Sequence, residues 1–226
     1  MNSIYLELIS ELLRLTVKLH DIGKIKQEYQ KSLKVRGFCP YGPTGNCSKC
    51  DLRPNFSRHE EISAQVVYNI TSSILFELEP EKEDLRTSLS HILAYGVLYH
   101  HEAIHRPLEW SKKSPFIKEV IKSNYDFVLK IIGPSCRALG VDANKILEDL
   151  IERPAPFNKP AQAMRSAVKL HSLVSGPLMI CDNVVASLHR PPKKEGKERP
   201  TFVREAEKAI PELQNWINNH KCPYDF

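Results

Sequence analysis

The segment from Ile4 to Lys24 reads IYLELISELLRLTVKLHDIGK. Ile4, Leu8, Leu12, Leu15 and Leu19 recur at three- and four-residue steps, which is the repeat of one face of an α-helix. That helix runs up to His20 and Asp21 and should stop at Gly23, where a glycine permits a sharp exit. An imidazole nitrogen beside a carboxylate oxygen suits a borderline divalent metal. Asp21 has two oxygens, so it can bridge two ions. Lys24, one turn on, can hold a phosphate oxygen. The plain alternative is a helix end carrying a surface histidine and a capping charge.

Outward from this segment the periodicity stays helical. Residues 35–56 are rich in Gly, Pro and Cys and read as a loop insertion. Ser57 and Glu60 then form a capping box ahead of Ile62, Val66 and Ile70. Another helix runs from about Asp84 through Leu89, Ile92, Leu93 and Val97 to His100. Ser114-Pro115 opens the next, with proline at the first helical position. Asp142 caps a short helix through Ile146 and Leu150. Pro154 and Pro156 mark a linker, followed by a long apolar helix from about Pro160 to Leu188, which Ser175-Gly176-Pro177 should kink or break. Residues 190–200 read as a mobile basic loop, and Thr201 can cap a last helix through Val203, Ile210, Leu213 and Ile217. The fold class is all-α, and the chain is expected to form a single domain over residues 1–226.

Three further signals accompany His20-Asp21. Tyr99-His100-His101-Glu102 ends an apolar helix, and burying two imidazoles requires two partners, which a metal supplies. A solvated pair favoured by the helix dipole is the alternative. His105, four residues after His101, can line such a site. His59 sits at a helix start, where a capping or surface role is the commoner one. Asp182 lies inside an apolar helical stretch, where a carboxylate is costly unless paired or metal-bound.

The ordered set His20-Asp21-Ile22-Gly23-Lys24, His59-Glu60, His100-His101 and Asp182 through Ser187 resembles the HD phosphohydrolase superfamily. More narrowly it is similar to the CRISPR-associated HD nuclease in its stand-alone form, as in type I-A interference. The resemblance spans residues 19–188. It implies an HD-domain helical bundle and a metal-dependent hydrolase that cuts DNA, with single strands preferred. His20, Asp21, His59, His100, His101 and Asp182 would be metal ligands, and Asp21 and Lys24 would be catalytic. The cofactor would be two transition-metal ions, with manganese, nickel, cobalt or iron favoured over magnesium by the mixed nitrogen and oxygen ligands. A separate CRISPR helicase subunit and a surveillance complex would be the partners. The family usually has another histidine upstream of His-Asp, and none of the residues before His20 is one. This looks like the circularly permuted HD domains, with the helix from Thr201 to His220 in the vacated place. Two rival readings stand beside the nuclease: an HD phosphohydrolase acting on nucleotides, and a non-catalytic module that binds nucleic acid or a partner.

Composition sets the frame. The chain has 226 residues, a net charge of +5 and 42% hydrophobic residues, as expected for a globular protein with a weak bias toward acidic partners. Glu7, Glu11 and Arg14 interrupt the first apolar segment, so it does not read as a signal peptide. No apolar run reaches membrane-spanning length. A cytoplasmic protein is expected. Cys39, Cys47 and Cys50 include the two-residue spacing of zinc sites, and structural zinc, a disulfide and free thiols all remain open for them. Between Arg190 and Arg204 six basic residues face two glutamates, which suits a solvated loop, a DNA track or a docking segment. Arg106, Lys112 and Lys113 can flank the mouth of the cleft.

Overall fold

The computed structural model describes residues 3–25, 59–100, 117–155, 157, 169–189, 205 and 208. The fold is all-α, and no strand occurs among the described residues. Helix α1 covers Ser3–Leu19 and is followed by a 3-10 turn, Ile22–Ile25. Then come α2 (His59–Leu78), α3 (Glu83–Leu98), α4 (Ile117–Ser123), α5 (Tyr125–Leu139), α6 (Ala143–Glu152), a 3-10 turn at Lys169–His171 and α7 (Ser172–His189).

Helix α2 is the centre of the bundle. Ile62, Ala64, Val66, Val67, Ile70, Ile74 and Leu75 point around most of its circumference and are all buried, as expected of a helix enclosed by its neighbours. Its most extensive contact is with α3. The connection of residues 79–82 is tight, with the Lys82 amide donating to the Glu79 carbonyl at 3.1 Å. A link this short makes the two helices an antiparallel hairpin. The start of α2 therefore lies beside the end of α3, and this places His59 and His100 at the same end of the pair.

Helix α1 packs on α5 and α2 through Leu8, Leu12, Leu15 and Leu19. The last three of these are fully buried, and each contributes about 1.5–3 kcal/mol of transfer free energy. The Asp142 carboxylate caps α6 by accepting from the Asn144 amide at 2.9 Å, as the sequence implied. Gly140, in the left-handed conformation at φ 71°, closes α5, and Val141 donates back to the Cys136 carbonyl. Buried Asn69 on α2 staples the segment after α6. It donates to the carbonyls of Gln65 and Ala155 and accepts from the Ala155 amide at 2.7 Å.

Helix α7 packs along α3. A Cβ on Gly96 would meet the Val174 side chain at 2.5 Å, so glycine sets how closely the two helices approach. The sequence implies a kink or a break at Ser175-Gly176-Pro177; the helix is not broken there and runs on through Pro177. The carbonyl deprived of that proline's N–H belongs to Leu173, an exposed residue. The loop at 35–56, the basic loop at 190–200 and nearly all of the helix expected from Thr201 to His220 lie outside the described residues.

Candidate metal centre

Three chain segments meet at one end of the α2–α3 hairpin. His20 and Asp21 follow the last residue of α1, His59 begins α2, and His100 follows α3. The short turn after Asp21 is held against α2 by two features. The Gly23 amide donates to the buried Ser63 hydroxyl at 2.9 Å. A Cβ on Gly23 would lie 2.2 Å from the His59 carbonyl oxygen, so only glycine permits this approach. The sequence implied a conformational role for Gly23, but its φ is not positive. Close contact between backbones is the physical reason for glycine here.

The Asp21 carboxylate is the hub. Its Oδ1 lies 3.2 Å from His59 Nε2 and 3.8 Å from His100 Nε2. Its Oδ2 lies 3.6 Å from His20 Nε2 and accepts from Lys24 Nζ at 2.6 Å. The His20 and His100 rings meet edge to face with centroids 5.1 Å apart, and His59 and His100 do so at 6.1 Å. His59 and His100 are almost fully buried. Ligand atoms of His20, Asp21 and His100 all lie within 4.8 Å of one another, a grouping able to hold a metal ion. His59 lies outside this grouping but faces the same carboxylate oxygen as His100.

Each ring is anchored from behind. His20 Nδ1 donates to the Val17 carbonyl at 2.6 Å, and His100 Nδ1 donates to the Val97 carbonyl. A carbonyl only accepts, so in both rings Nδ1 carries the proton and Nε2 of the neutral ring keeps its lone pair. His59 Nδ1 lies 3.3 Å from a Glu60 carboxylate oxygen, with the same consequence. Tethering the far nitrogen in this way fixes the orientation of metal-binding imidazoles.

The charges suit a cation. Burial works to raise the Asp21 pKa. The imidazoles of His100 and His59, with His20 and Lys24, outweigh it and hold the carboxyl far below the ordinary range. Burial pushes the His20 pKa down and His100 adds to this, against Asp21, the Val17 carbonyl and Asp182. A neutral imidazole and an ionised carboxylate are the forms that bind metal. His20 Nε2 is buried without a hydrogen-bond partner. Such atoms are costly unless something in the site completes them. The donor set therefore fits a borderline divalent cation.

Asp182, on α7, is near enough for its charge to act on His20, although it is not within the close grouping. Lys24 rests on Asp21. His101, His105, Arg106, Lys112, Lys113, Cys39, Cys47 and Cys50 lie outside the described residues. Sequence reasoning missed Ser63, whose place forty residues from Gly23 has no local signature. It gave Glu60 only a capping role. The carbonyls of Val17 and Val97 carry no side-chain signal at all.

No protein-family model matches the chain, and no solved structure matches it significantly. Among curated proteins it is similar to the CRISPR-associated endonuclease Cas3-HD of Methanocaldococcus jannaschii. The two are 27% identical over 198 residues, covering 78% of this chain and 69% of the relative. This similarity points to an HD-type, CRISPR-associated family of metal-dependent hydrolases.

Proposed function

We propose that the chain is a metal-dependent nuclease that hydrolyses DNA phosphodiesters, prefers single strands, and acts in CRISPR interference beside a separate helicase and a surveillance complex. The observation that carries this reading is the set of three imidazoles whose Nδ1 atoms are held from behind while their Nε2 atoms face one ionised carboxylate. The similarity to a CRISPR-associated endonuclease supports a nucleic-acid substrate.

In this proposal His20, Asp21, His59, His100 and Asp182 hold the cations, and His101 joins them from its place next to His100. A bound divalent cation supplies a more acidic water and polarises the phosphoryl oxygens. The residues of this chain do the positioning. Asp21 stays ionised and offers one oxygen toward His59 and His100 and the other toward His20, an arrangement suited to two ions. The tethered rings keep their lone pairs aimed inward, so little reorganisation accompanies binding. Lys24, about one-third exposed and paired with Oδ2, has the reach to exchange that carboxylate for a phosphate oxygen. Among the described residues no helix is long and apolar enough to cross a membrane.

The test is incubation of the purified protein with manganese and single-stranded DNA, and separately with nucleotides. Cleavage of DNA that stops with a chelator and is absent in Asp21→Asn is expected. Release of phosphate from nucleotides with the DNA left intact would overturn the nuclease reading. Calorimetric titration with manganese distinguishes the stoichiometries, since full activity at one ion per chain would remove the two-ion arrangement.

A further inference from the structure

The opposite end of the α2–α3 hairpin holds a cavity of about 350 Å³, between the last turns of α2, the first turn of α3, and α6 with the segment that follows it. Residues 72 and 86 are thirteen and fourteen positions from His59 and His100, so the cavity lies about 20 Å from the metal centre at helical rise. Ser72, Ser73, Phe76, Glu77, Arg86, Asp149 and Arg153 contribute to its lining.

The charges around it are unevenly satisfied. Glu77 is paired with Lys145 at 2.7 Å, and Asp149 with Arg153 at 3.3 Å. Arg86 has no carboxylate partner among the described residues. Its guanidinium lies over the Phe76 ring, 5.1 Å from the centroid, and its Nη1 is buried without a hydrogen-bond acceptor. A guanidinium is always charged and presents a planar fork of donors. Leaving one of those donors buried and unmet is costly. An anion entering the cavity removes that cost, and the Ser72 and Ser73 hydroxyls can donate to the same anion. Phe76 is 54% exposed, so it offers a planar ring something to lie against. The volume exceeds the need of a bare oxyanion, since water fills about 30 Å³ per molecule.

We propose that this cavity is a second binding site, for a nucleoside monophosphate: the phosphate on Arg86 and the two serine hydroxyls, the base against Phe76. The site is independent of the metal centre and of the chemistry assigned there.

The experiment uses the full chain in chelator, with deoxyadenosine monophosphate, inorganic phosphate and deoxyadenosine as probes, read by calorimetry and by amide chemical shifts. The nucleotide should bind once per chain and move the Ser72 and Ser73 amides, with phosphate weaker and the nucleoside silent. Arg86→Gln should weaken binding by about tenfold or more, the loss of a charge-assisted hydrogen bond. Phe76→Leu should remove the advantage of nucleotide over phosphate, and Asp21→Asn should leave binding unchanged. Wild-type affinity in Arg86→Gln, loss of binding in Asp21→Asn, or equal affinity for phosphate and nucleotide would each overturn the proposal. Should Arg86→Gln fail to fold, the amide shifts of the wild-type chain decide. Ser72 and Ser73 unmoved at saturation would refute the site.

Discussion

Replacing Gly23 by alanine tests the construction of the centre without removing any of its polar groups. The added Cβ would lie 2.2 Å from the His59 carbonyl oxygen, 2.9 Å from its carbon and 3.0 Å from its Cα. Carbon–oxygen contacts normally stand at about 3.3 Å, so the turn must retreat by roughly 1 Å. The opposing atoms are all backbone, so no rotamer change relieves the clash. Retreat also weakens the 2.9 Å bond from the Gly23 amide to Ser63. Overpacking costs about 1–3 kcal/mol and the hydrogen bond about 1 kcal/mol, so urea unfolding should register a loss of about 2–4 kcal/mol. The same retreat separates Asp21 from His59, now 3.2 Å apart. A misplacement of about 1 Å can reduce turnover about a hundredfold. Gly140→Ala provides the control. It meets nothing within 4 Å but strains a left-handed residue by about 1–2 kcal/mol. It should lose stability and keep manganese affinity. Wild-type stability and affinity in Gly23→Ala would refute the argument, as would equal loss of metal binding in Gly140→Ala.

Asp21→Asn keeps the shape of the hub and removes its charge, so metal binding and cleavage should vanish while helical circular dichroism is retained. Wild-type turnover would exclude Asp21 as a ligand. Lys24→Met frees a carboxylate oxygen that now carries an ion pair at 2.6 Å with both side chains about one-third exposed. Such a pair is worth about 1 kcal/mol, so manganese affinity should rise about fivefold by calorimetry while DNA cleavage slows. Faster cleavage would remove Lys24 from phosphate binding. Burial pushes the Cys136 thiol up to about 11, with Asp142 adding to the effect. Above pH 9 the unfolded chain therefore releases a proton that the folded chain keeps, and stability falls as pH rises through 9 to 11. The contribution is about 2–3 kcal/mol, and Cys136→Ala should flatten that limb of the urea-midpoint profile.

The helical architecture was legible because its signals are local. Leu8, Leu12, Leu15 and Leu19 announce the buried face of α1, and Asp142 announces the start of α6. Pro177 does not end α7, because whether a proline breaks a helix or is carried within it depends on how its stranded carbonyl is served, which is a tertiary fact. For the candidate site, His20, Asp21, His59 and His100 were recognisable as an ordered set resembling a known family, since each alone also suits a surface or capping role, and the structure brings these four together. Their convergence follows from a hairpin with a short connection, which periodicity alone does not orient. Ser63 and the carbonyls of Val17 and Val97 were invisible. The first acts across forty residues, and the others act through atoms that every residue has.

Those two carbonyls have a further consequence. Val17 and Val97 lie in the final turns of α1 and α3, where carbonyl groups have no amide of their own helix to receive. His20 and His100 supply the missing donors, so each histidine acts as a C-terminal cap while its other nitrogen faces Asp21. The alignment of each ring thus depends on a single side-chain hydrogen bond that also caps its helix, and at Val97 the His100 backbone amide adds a second, at 3.4 Å. When the end of either helix frays, the ring loses its bearing before the bundle unfolds, since helix ends open at lower free energy than the core. The site should then fail at denaturant concentrations below global unfolding. Alanine at either position removes a cap as well as an imidazole, whereas asparagine at 20 or 100 can still donate to the carbonyl and separates the two losses.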